Sequence, residues 1–350
     1  MPKFSMSEHI SGKLEKSLTQ YDQAETGLLP DELTAEQIAE LPAALFAKRA
    51  YSEEESERTG YSDYSYWRST IRAFLQNKLA VFMLILALSL VLFSLIQPLL
   101  PGQYDPNYIN NDPETGLQII NQQPGGKFLL GTNSIGQDIW ARLWAGTRTS
   151  MFIGLTVAAI QTVIGIALGM VWGYLRSVDV FFTELYNVVT NIPSTIILIL
   201  ASYILKPGIG TLIFAMCVTG WLGVAQYIRT QVMIIRDRDF NMASRCLGTP
   251  LDRIVMKNLL PHIVSVVMLR VALAIPAAIG SEVFMTYIGL GLPIETPSLG
   301  NLVNAGRIML MSPSLRYQLI YPAIVLSVIT VCFYMVGNAF GDAADPKNHL

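Results

Sequence analysis

The chain has 350 residues, of which 52% are hydrophobic and only 14% are charged, and its formal net charge is −2. A soluble globular protein carries about 25% charged residues, so this chain has far less solvating charge than usual. The composition excludes a disordered chain, a nucleic-acid binder driven by net basicity and an ordinary cytosolic enzyme. It predicts a membrane protein.

The N-terminal part of the chain is the most polar. Residues 1–66 are charged and show no cleavable signal peptide, and they are predicted to form a cytoplasmic segment. Tyr and Trp residues beside Arg68 and Arg72 lead into residues 67–78. This combination is typical of a membrane interface, where an amphipathic ring is half hydrated, so residues 67–78 are predicted to form an interfacial helix.

Long apolar runs follow this segment. A helix needs about 20 apolar residues to cross the bilayer, and these runs show none of the alternation of a barrel strand. The six predicted spans are residues 79–100, 149–175, 185–205, 207–228, 263–290 and 317–341. Pro193 and Pro276 are predicted to kink the third and the fifth span.

Lys and Arg residues in the connections predict the orientation. With the N-terminus in the cytoplasm, eleven of them lie on the inner side and six on the outer side. This bias predicts a multi-pass protein of the cell membrane with both termini in the cytoplasm. The outer connections are then residues 101–148 and 291–316, and the inner segments are residues 229–262 and the tail 342–350.

The inner connection 229–262 is too polar to cross a membrane. Residues 241–247 are predicted to form a helix that Gly248 ends. Thr249 and Pro250 predict the start of a second short helix, which Pro261 ends. Two short helices at a glycine turn would present a compact knob to a partner; the alternative is a loop that lies flat on the bilayer.

This connection resembles a motif of ATP-binding-cassette (ABC) importer permeases, which reads Glu-Ala-Ala, three residues, Gly, about nine residues and Ile-x-Leu-Pro. Met242 replaces the Glu of the motif and Ser244 replaces its second Ala. The resemblance implies a contact with an ATPase subunit through Met242, Ala243, Ser244, Arg245, Leu247, Gly248, Leu260 and Pro261.

Three further segments are similar to oligopeptide, dipeptide and nickel permeases. They are Gly131–Asp138, Glu282–Gly291 and Gly341–Lys347. Together the motifs cover about residues 68–347, so the chain is identified as a member of this family. It resembles most the C-type subunits of oligopeptide importers from Gram-positive bacteria. The fold implied is the six-helix, all-α permease fold with a cytoplasmic coupling-helix loop.

The resemblance implies a transport subunit and not an enzyme, and the sequence contains no GxxxxGK[ST] phosphate loop. The implied partners are a second, B-type permease, two ATP-binding subunits of D- and F-type, and an extracellular peptide-binding lipoprotein. ATP and Mg would bind to the ATPases, and this chain would hold no cofactor. The implied function is oligopeptide import, coupled to ATP hydrolysis through residues 236–261.

Three alternatives stay open at this point. The first is a dipeptide or nickel importer of the same family. The second is an ion-coupled secondary transporter, for which inverted repeats or several intramembrane carboxyl groups are expected. The third is a membrane-anchored scaffold that acts through its first 60 residues.

Two features of the spans are open to a structural or a functional interpretation. Gly165, Gly169 and Gly173 lie on one helix face, which predicts close helix packing. Glu282 lies well inside the fifth span, where a charged group is costly and faces protein or water. It is predicted to line the substrate pathway or, with equal weight, to make structural hydrogen bonds.

Overall fold

The computed structural model of the protein describes residues 66–250 and 253–344. In these ranges the regular elements are helices, and β-type pairing is limited to isolated bridges. The helices are α1 (Tyr66–Gln76), α2 (Lys78–Ile96), α3 (Ile139–Tyr174), α4 (Arg176–Thr190), α5 (Ser194–Ile204), α6 (Ile209–Arg236), α7 (Asp239–Cys246), α8 (Leu260–Tyr287), α9 (Leu299–Ile308) and α10 (Tyr317–Ala344). Most of the predicted segment 1–66 and of the tail 342–350 lies outside the described residues.

Long apolar helices dominate the described part of the chain. Five stretches are long and apolar enough to cross a membrane: Lys78–Leu99, Ile139–Tyr174, Ile209–Arg236, Val267–Tyr287 and Tyr317–Ala344. A helix satisfies its own backbone hydrogen bonds, which a segment in lipid requires. The prediction of an all-α membrane protein is confirmed.

The predicted third span, residues 185–205, is not one continuous helix. It falls in α4 and α5, which are separated by a short break and bent by 76°. Pro193 immediately precedes α5, and a proline disfavours the helical conformation of the residue before it. The 11 residues of α5 are only about 16 Å long, so α5 alone is too short to cross the bilayer, whereas α4 and α5 together are long and apolar enough for a sixth span.

The helix that contains the predicted second span, residues 149–175, begins ten residues before that span. Helix α3 begins at Ile139 and is 36 residues long, or about 54 Å. Its N-cap is Asp138, whose carboxyl oxygens accept hydrogen bonds from the N–H groups of Trp140 and Ala141 at 3.3 and 3.1 Å. The helix is longer than the ~30 Å hydrocarbon layer, so its first turns can lie outside that layer. These turns contain Arg142 and Arg148, and their charges are the reason that the sequence predicts a later start.

The connection between α2 and α3, which is predicted to lie on the outer side, is tied to α10. The hydroxyl group of Tyr317 donates to the carbonyl oxygen of Gln122 at 2.8 Å, and Gln318 Nε2 donates to Asn121 Oδ1 at 2.9 Å. Gly131 has a φ of +81°, and a Cβ at this position would collide with the carbonyl oxygen of Gln122. The glycine that the family motif shares is therefore required by a tight turn.

The other connection that is predicted to lie on the outer side, residues 291–316, contains the helix α9. Ser298 is the N-cap of α9, and its hydroxyl group accepts a hydrogen bond from the N–H of Asn301 at 3.0 Å. The buried Arg142 joins both outer connections: its Nη1 donates to Gln137 Oε1 at 2.6 Å and its Nη2 donates to the carbonyl oxygen of Ile294 at 3.0 Å. The two connections thus form one ordered cap on the bundle.

Helices α3 and α6 pack closely through the three glycines of α3. A Cβ on Gly169 would lie 2.5 Å from the carbonyl oxygen of Ala225, and one on Gly173 would lie 2.8 Å from Val232 Cβ. Gly165 meets α6 in the same way. The prediction that these glycines serve helix packing is confirmed, and the helix against which they pack belongs to the same chain.

Replacing Gly169 by valine is expected to loosen the α3–α6 contact. The added side chain overlaps backbone atoms of α6, and overpacking of this kind costs about 1–3 kcal/mol. The measurement is the thermal unfolding midpoint of the chain purified in detergent. Gly223→Val is the control, because a Cβ on Gly223 meets no atom within 4 Å. Equal midpoints for the two variants would contradict the packing role.

Candidate functional site

The candidate functional site is the connection between α6 and α8, predicted as residues 229–262. Helix α6 extends to Arg236, so the connection proper begins at Asp237. It contains α7, which includes most of the helix predicted over residues 241–247. The connection is therefore a short helix mounted directly on the end of a long one.

Gly248 ends the turn that follows α7. Its φ is +74°, in the left-handed region that favours glycine. Its N–H donates to the carbonyl oxygen of Arg245 at 2.9 Å, and the N–H of Thr249 donates to that of Ser244 at 3.1 Å. A Cβ on Gly248 would meet no atom within 4 Å. The need for glycine here is conformational and not steric.

Most of the predicted coupling residues of α7 and its turn are exposed. Leu247 is 86% exposed and Met242 is 52% exposed. Ala243 and Arg245 are also exposed, whereas Ser244 is half-buried. Exposed apolar side chains of this size on an ordered helix are typical of a surface that contacts another protein or the membrane.

Helix α7 is anchored to the ends of α3 and α6. The buried Arg236 donates from Nη1 to the carbonyl oxygen of Gly173, the penultimate residue of α3, at 2.9 Å. Arg245 donates from Nη2 to the carbonyl oxygen of Arg236 at 3.1 Å, and its guanidinium lies 4.9 Å from the ring centroid of Tyr174. These contacts join α7 to the ends of two long helices.

Two of the anchoring residues, Arg236 and Asn241, were not predicted as site residues. Asn241 is fully buried, and its Nδ2 donates to the carbonyl oxygen of Ile235 at 2.9 Å. Arg236 Nε donates a hydrogen bond to Asp237 Oδ1 at 3.2 Å. This hydrogen bond and the positive charge of Arg236 lower the pKa of the Asp237 carboxyl group. In the sequence Arg236 resembles Arg238, and only the fold shows that Arg236 is buried and Arg238 exposed.

The prediction that Pro261 ends a second short helix is wrong. The backbone is helical from a π-helical turn at Ile254–Leu259 directly into α8, and Pro261 is the second residue of α8. In this turn the N–H of Leu260 donates to the carbonyl oxygen of Val255, five residues back. The wider spacing of a π-helical turn fits a residue that has no N–H to donate.

The two parts of the predicted coupling motif are thus placed differently. The exposed residues are those of α7 and its turn. Leu260 is half-buried in the first turn of α8, and its neighbour Leu259 is fully buried against Ile228 and Val232 of α6. This part of the motif fixes the end of the connection to the bundle.

Glu282 is fully buried where α3, α8 and α9 meet. The hydroxyl group of Ser150 donates to its Oε2 at 2.8 Å, and that of Thr286 donates to its Oε1 at 3.2 Å. The N–H of Leu299, in the first turn of α9, donates to Ser150 Oγ at 3.1 Å. A Cβ on Gly300 would lie 2.6 Å from Glu282 Oε1. These contacts favour the structural role of Glu282 over contact with a substrate.

The described helices define a multi-pass helical membrane protein in which an exposed short helix is rigidly linked to the membrane bundle. Among residues 66–250 and 253–344, no group of three or more His, Cys, Asp or Glu side chains is placed to hold a metal ion. The arrangement is suited to transmitting motion from a partner to the bundle.

Family comparisons identify this class more closely. Residues 161–349 match the family described as "binding-protein-dependent transport system inner membrane component". Residues 65–124 match the "N-terminal TM domain of oligopeptide transport permease C". The first match covers more than half of the chain, so the chain belongs to this family of ABC importer permease subunits and is not itself an enzyme.

Several relatives are similar over most of their length. The oligopeptide transport system permease protein AmiD of Streptococcus pneumoniae is 36% identical over 84% of this chain and 94% of its own. The dipeptide transport system permease protein DppC of Bacillus subtilis is 31% identical over 91% of this chain and 97% of its own. The oligopeptide transport system permease protein OppC of Bacillus subtilis is 29% identical over 88% of this chain and 98% of its own.

Proposed function

We propose that this chain is the C-type permease subunit of an oligopeptide importer and forms the translocation pathway with a B-type permease. The similarity to AmiD over 84% of the chain, together with the match to the N-terminal domain of oligopeptide permease C, supports this substrate class. The observation that carries the mechanism is the exposed α7, held at Arg236 and Arg245 against the ends of α3 and α6.

Energy comes from other subunits in this proposal. The sequence lacks a phosphate-binding loop, so ATP and Mg bind to two ATPases of D- and F-type. The distance between the two ATPases changes with ATP binding and hydrolysis, and the segment 236–261 of this chain follows that motion. Met242 and Leu247 contact the ATPase, and Arg236 and Arg245 pass the displacement to α3 and α6. The bundle then alternates between inward-facing and outward-facing states because ATP favours one of them.

The proposed orientation places both termini and α7 in the cytoplasm and the two outer connections outside the cell. An extracellular peptide-binding lipoprotein delivers its cargo to that outer side. The hydrogen bonds that tie residues 121–122 to α10, and Arg142 to both outer connections, support a stable platform on which such a protein docks. The cell membrane is the proposed location.

Deletion of this chain is expected to abolish uptake of a labelled pentapeptide by intact cells from which redundant peptide systems have been removed. The measurement is the initial uptake rate, with the gene restored on a plasmid as the control. A labelled dipeptide and radioactive nickel are measured in the same cells. Unchanged pentapeptide uptake with loss of dipeptide or nickel uptake would overturn the oligopeptide assignment and leave the permease assignment intact.

A further inference from the structure

Helices α3, α5, α6 and α8 converge on a cavity of about 170 Å³. It lies beside the break between α4 and α5, because the first residue of α5 belongs to its wall. Four uncharged polar side chains and several small residues line it, among them Gln161, Ser194, Thr219, Gly220, Ala277 and Ser281.

The face of α8 that lines the cavity also carries an exposed charge. Arg270, Ala274, Ala277 and Ser281 are spaced by four, three and four residues, which places them on one face of the helix. Arg270 is exposed, and its guanidinium lies 4.0 Å from the ring centroid of Tyr227. Arginine in lipid costs about 2.5–3.5 kcal/mol on insertion scales, so such residues face protein or water. This face of α8 is therefore not a lipid-facing surface.

The cavity wall offers hydrogen bonds without charge. Gln161 Nε2 donates to the carbonyl oxygen of Met216 at 2.9 Å, which leaves Oε1 to accept a hydrogen bond from a ligand. Ser281 Oγ donates to the carbonyl oxygen of Ala277 at 3.0 Å, and its lone pairs are likewise acceptors. The residues that line the cavity include no Asp, Glu, Lys, Arg or His.

Small residues form much of the wall, among them Gly220, Ala274, Ala277 and Ala278. Gly220 allows the side-chain amide of Gln161 to approach α6, because a Cβ there would collide with it. Pockets for drug-sized ligands have volumes of about 300–1,000 Å³, so this cavity alone is too small to hold a whole peptide. A second permease facing α8 would supply the remaining wall.

We infer that the cavity between α3, α5, α6 and α8 is the part of the translocation pathway that this subunit contributes, and that it binds the main chain of a peptide in transit. The inference rests on the proposed function. Uncharged acceptors match the N–H groups that every peptide carries. The residues that line the cavity carry no charge with which to select among acidic, basic and apolar side chains, because Arg270 lies outside the lining with its guanidinium over the ring of Tyr227. Selection of the cargo sequence then takes place elsewhere in the assembly.

The test uses the complete transporter reconstituted in proteoliposomes with its binding protein. Thr219→Leu and Ser281→Leu fill the cavity, and Ser281→Ala retains its space. Val218→Leu is the matched control, since Val218 is the exposed neighbour of Thr219 and does not line the cavity. Uptake is measured for three pentapeptides, one acidic, one basic and one apolar, together with basal ATPase activity and peptide binding by the isolated binding protein.

Both leucine variants are expected to lower uptake of all three peptides at least fivefold. Val218→Leu is expected to stay within twofold of the wild type. Ser281→Ala keeps the space but removes one acceptor, so it is expected to lower uptake of all three peptides by less than either leucine variant. Unchanged uptake in the leucine variants would place the pathway elsewhere. A loss confined to one charge class would overturn main-chain recognition. Failure of the proposed function gives a different result, because the wild-type assembly itself would then transport no pentapeptide.

A near-isosteric variant covers the case in which the leucine variants do not assemble. Thr219→Cys is made in a background where Cys217, Cys246 and Cys332 are replaced by alanine. Modification by a membrane-permeant maleimide is expected to block uptake, and a saturating pentapeptide is expected to slow that modification during turnover. Modification without loss of uptake would contradict the inference.

Discussion

Replacing Gly248 by valine is expected to lower pentapeptide uptake about five- to thirtyfold while the protein still reaches the membrane. Gly248 holds a φ of +74° at the end of the α7 turn. A residue with a Cβ pays about 1–2 kcal/mol for this conformation, and that amount changes an equilibrium by a factor of about 5–30. In the proposed mechanism this turn presents Met242 and Leu247 to the ATPase, and it is then depopulated. Uptake and the amount of chain in isolated membranes are the measurements.

Gly248→Asn is the matched control for this variant. Asparagine adopts the left-handed conformation far more readily than valine, and nothing within 4 Å obstructs a side chain at this position. It is therefore expected to retain most of the uptake. An equal loss of uptake for asparagine and valine would mean that the contact with the partner leaves no room for a side chain at position 248. Full uptake with valine would show that the conformation of the α7 turn is not needed for coupling.

Replacing Glu282 by alanine is expected to destabilise the whole subunit. The hydroxyl groups of Ser150 and Thr286 lose their acceptor in a fully buried place. Each unsatisfied buried donor costs about 1–3 kcal/mol, and in a chain of 350 residues the two together correspond to a fall of about 3–8 °C in the unfolding midpoint. Thermal unfolding in detergent and the amount of chain in membranes are the measurements.

The exposed Glu114 provides the control for this carboxyl group, and Glu114→Ala is expected to leave the midpoint unchanged. Glu282→Gln is expected to fall between wild type and alanine, because the amide keeps one acceptor but brings N–H groups toward donors. A contact with substrate predicts a different pattern. Uptake would then fall in both Glu282 variants while the unfolding midpoint stayed at the wild-type value.

The spans were predictable because each depends on a local property. About 20 apolar residues suffice to cross the bilayer, and no other element is needed to recognise them. The boundaries were less predictable. Arg142 and Arg148 suggested a loop up to residue 148, whereas α3 begins at Ile139. The charge of Arg142 is accommodated by Gln137 and by the distant Ile294, and no local pattern reveals such a partner.

The coupling site shows the same division. Gly248 and the helix before it were recognisable, because a glycine after a helical run signals a C-terminal turn. The anchoring of α7 was not recognisable, since Arg236 bonds to Gly173, 63 residues away in the chain. The prediction at Pro261 was wrong because a proline usually ends a helix, whereas here a π-helical turn precedes it and the helix continues.

The sequence by itself determined that the chain is a helical membrane protein, where most of its spans lie, and where a short helix interrupts them. These properties follow from hydropathy, from the positions of Gly and Pro, and from charge, all of which act over a few residues. The tertiary structure alone decided that Glu282 joins three helices, that α7 is fixed to α3 and α6, and that four helices enclose a neutral cavity. Each of these depends on side chains that are distant in the chain, and their meeting is settled only when the whole bundle packs.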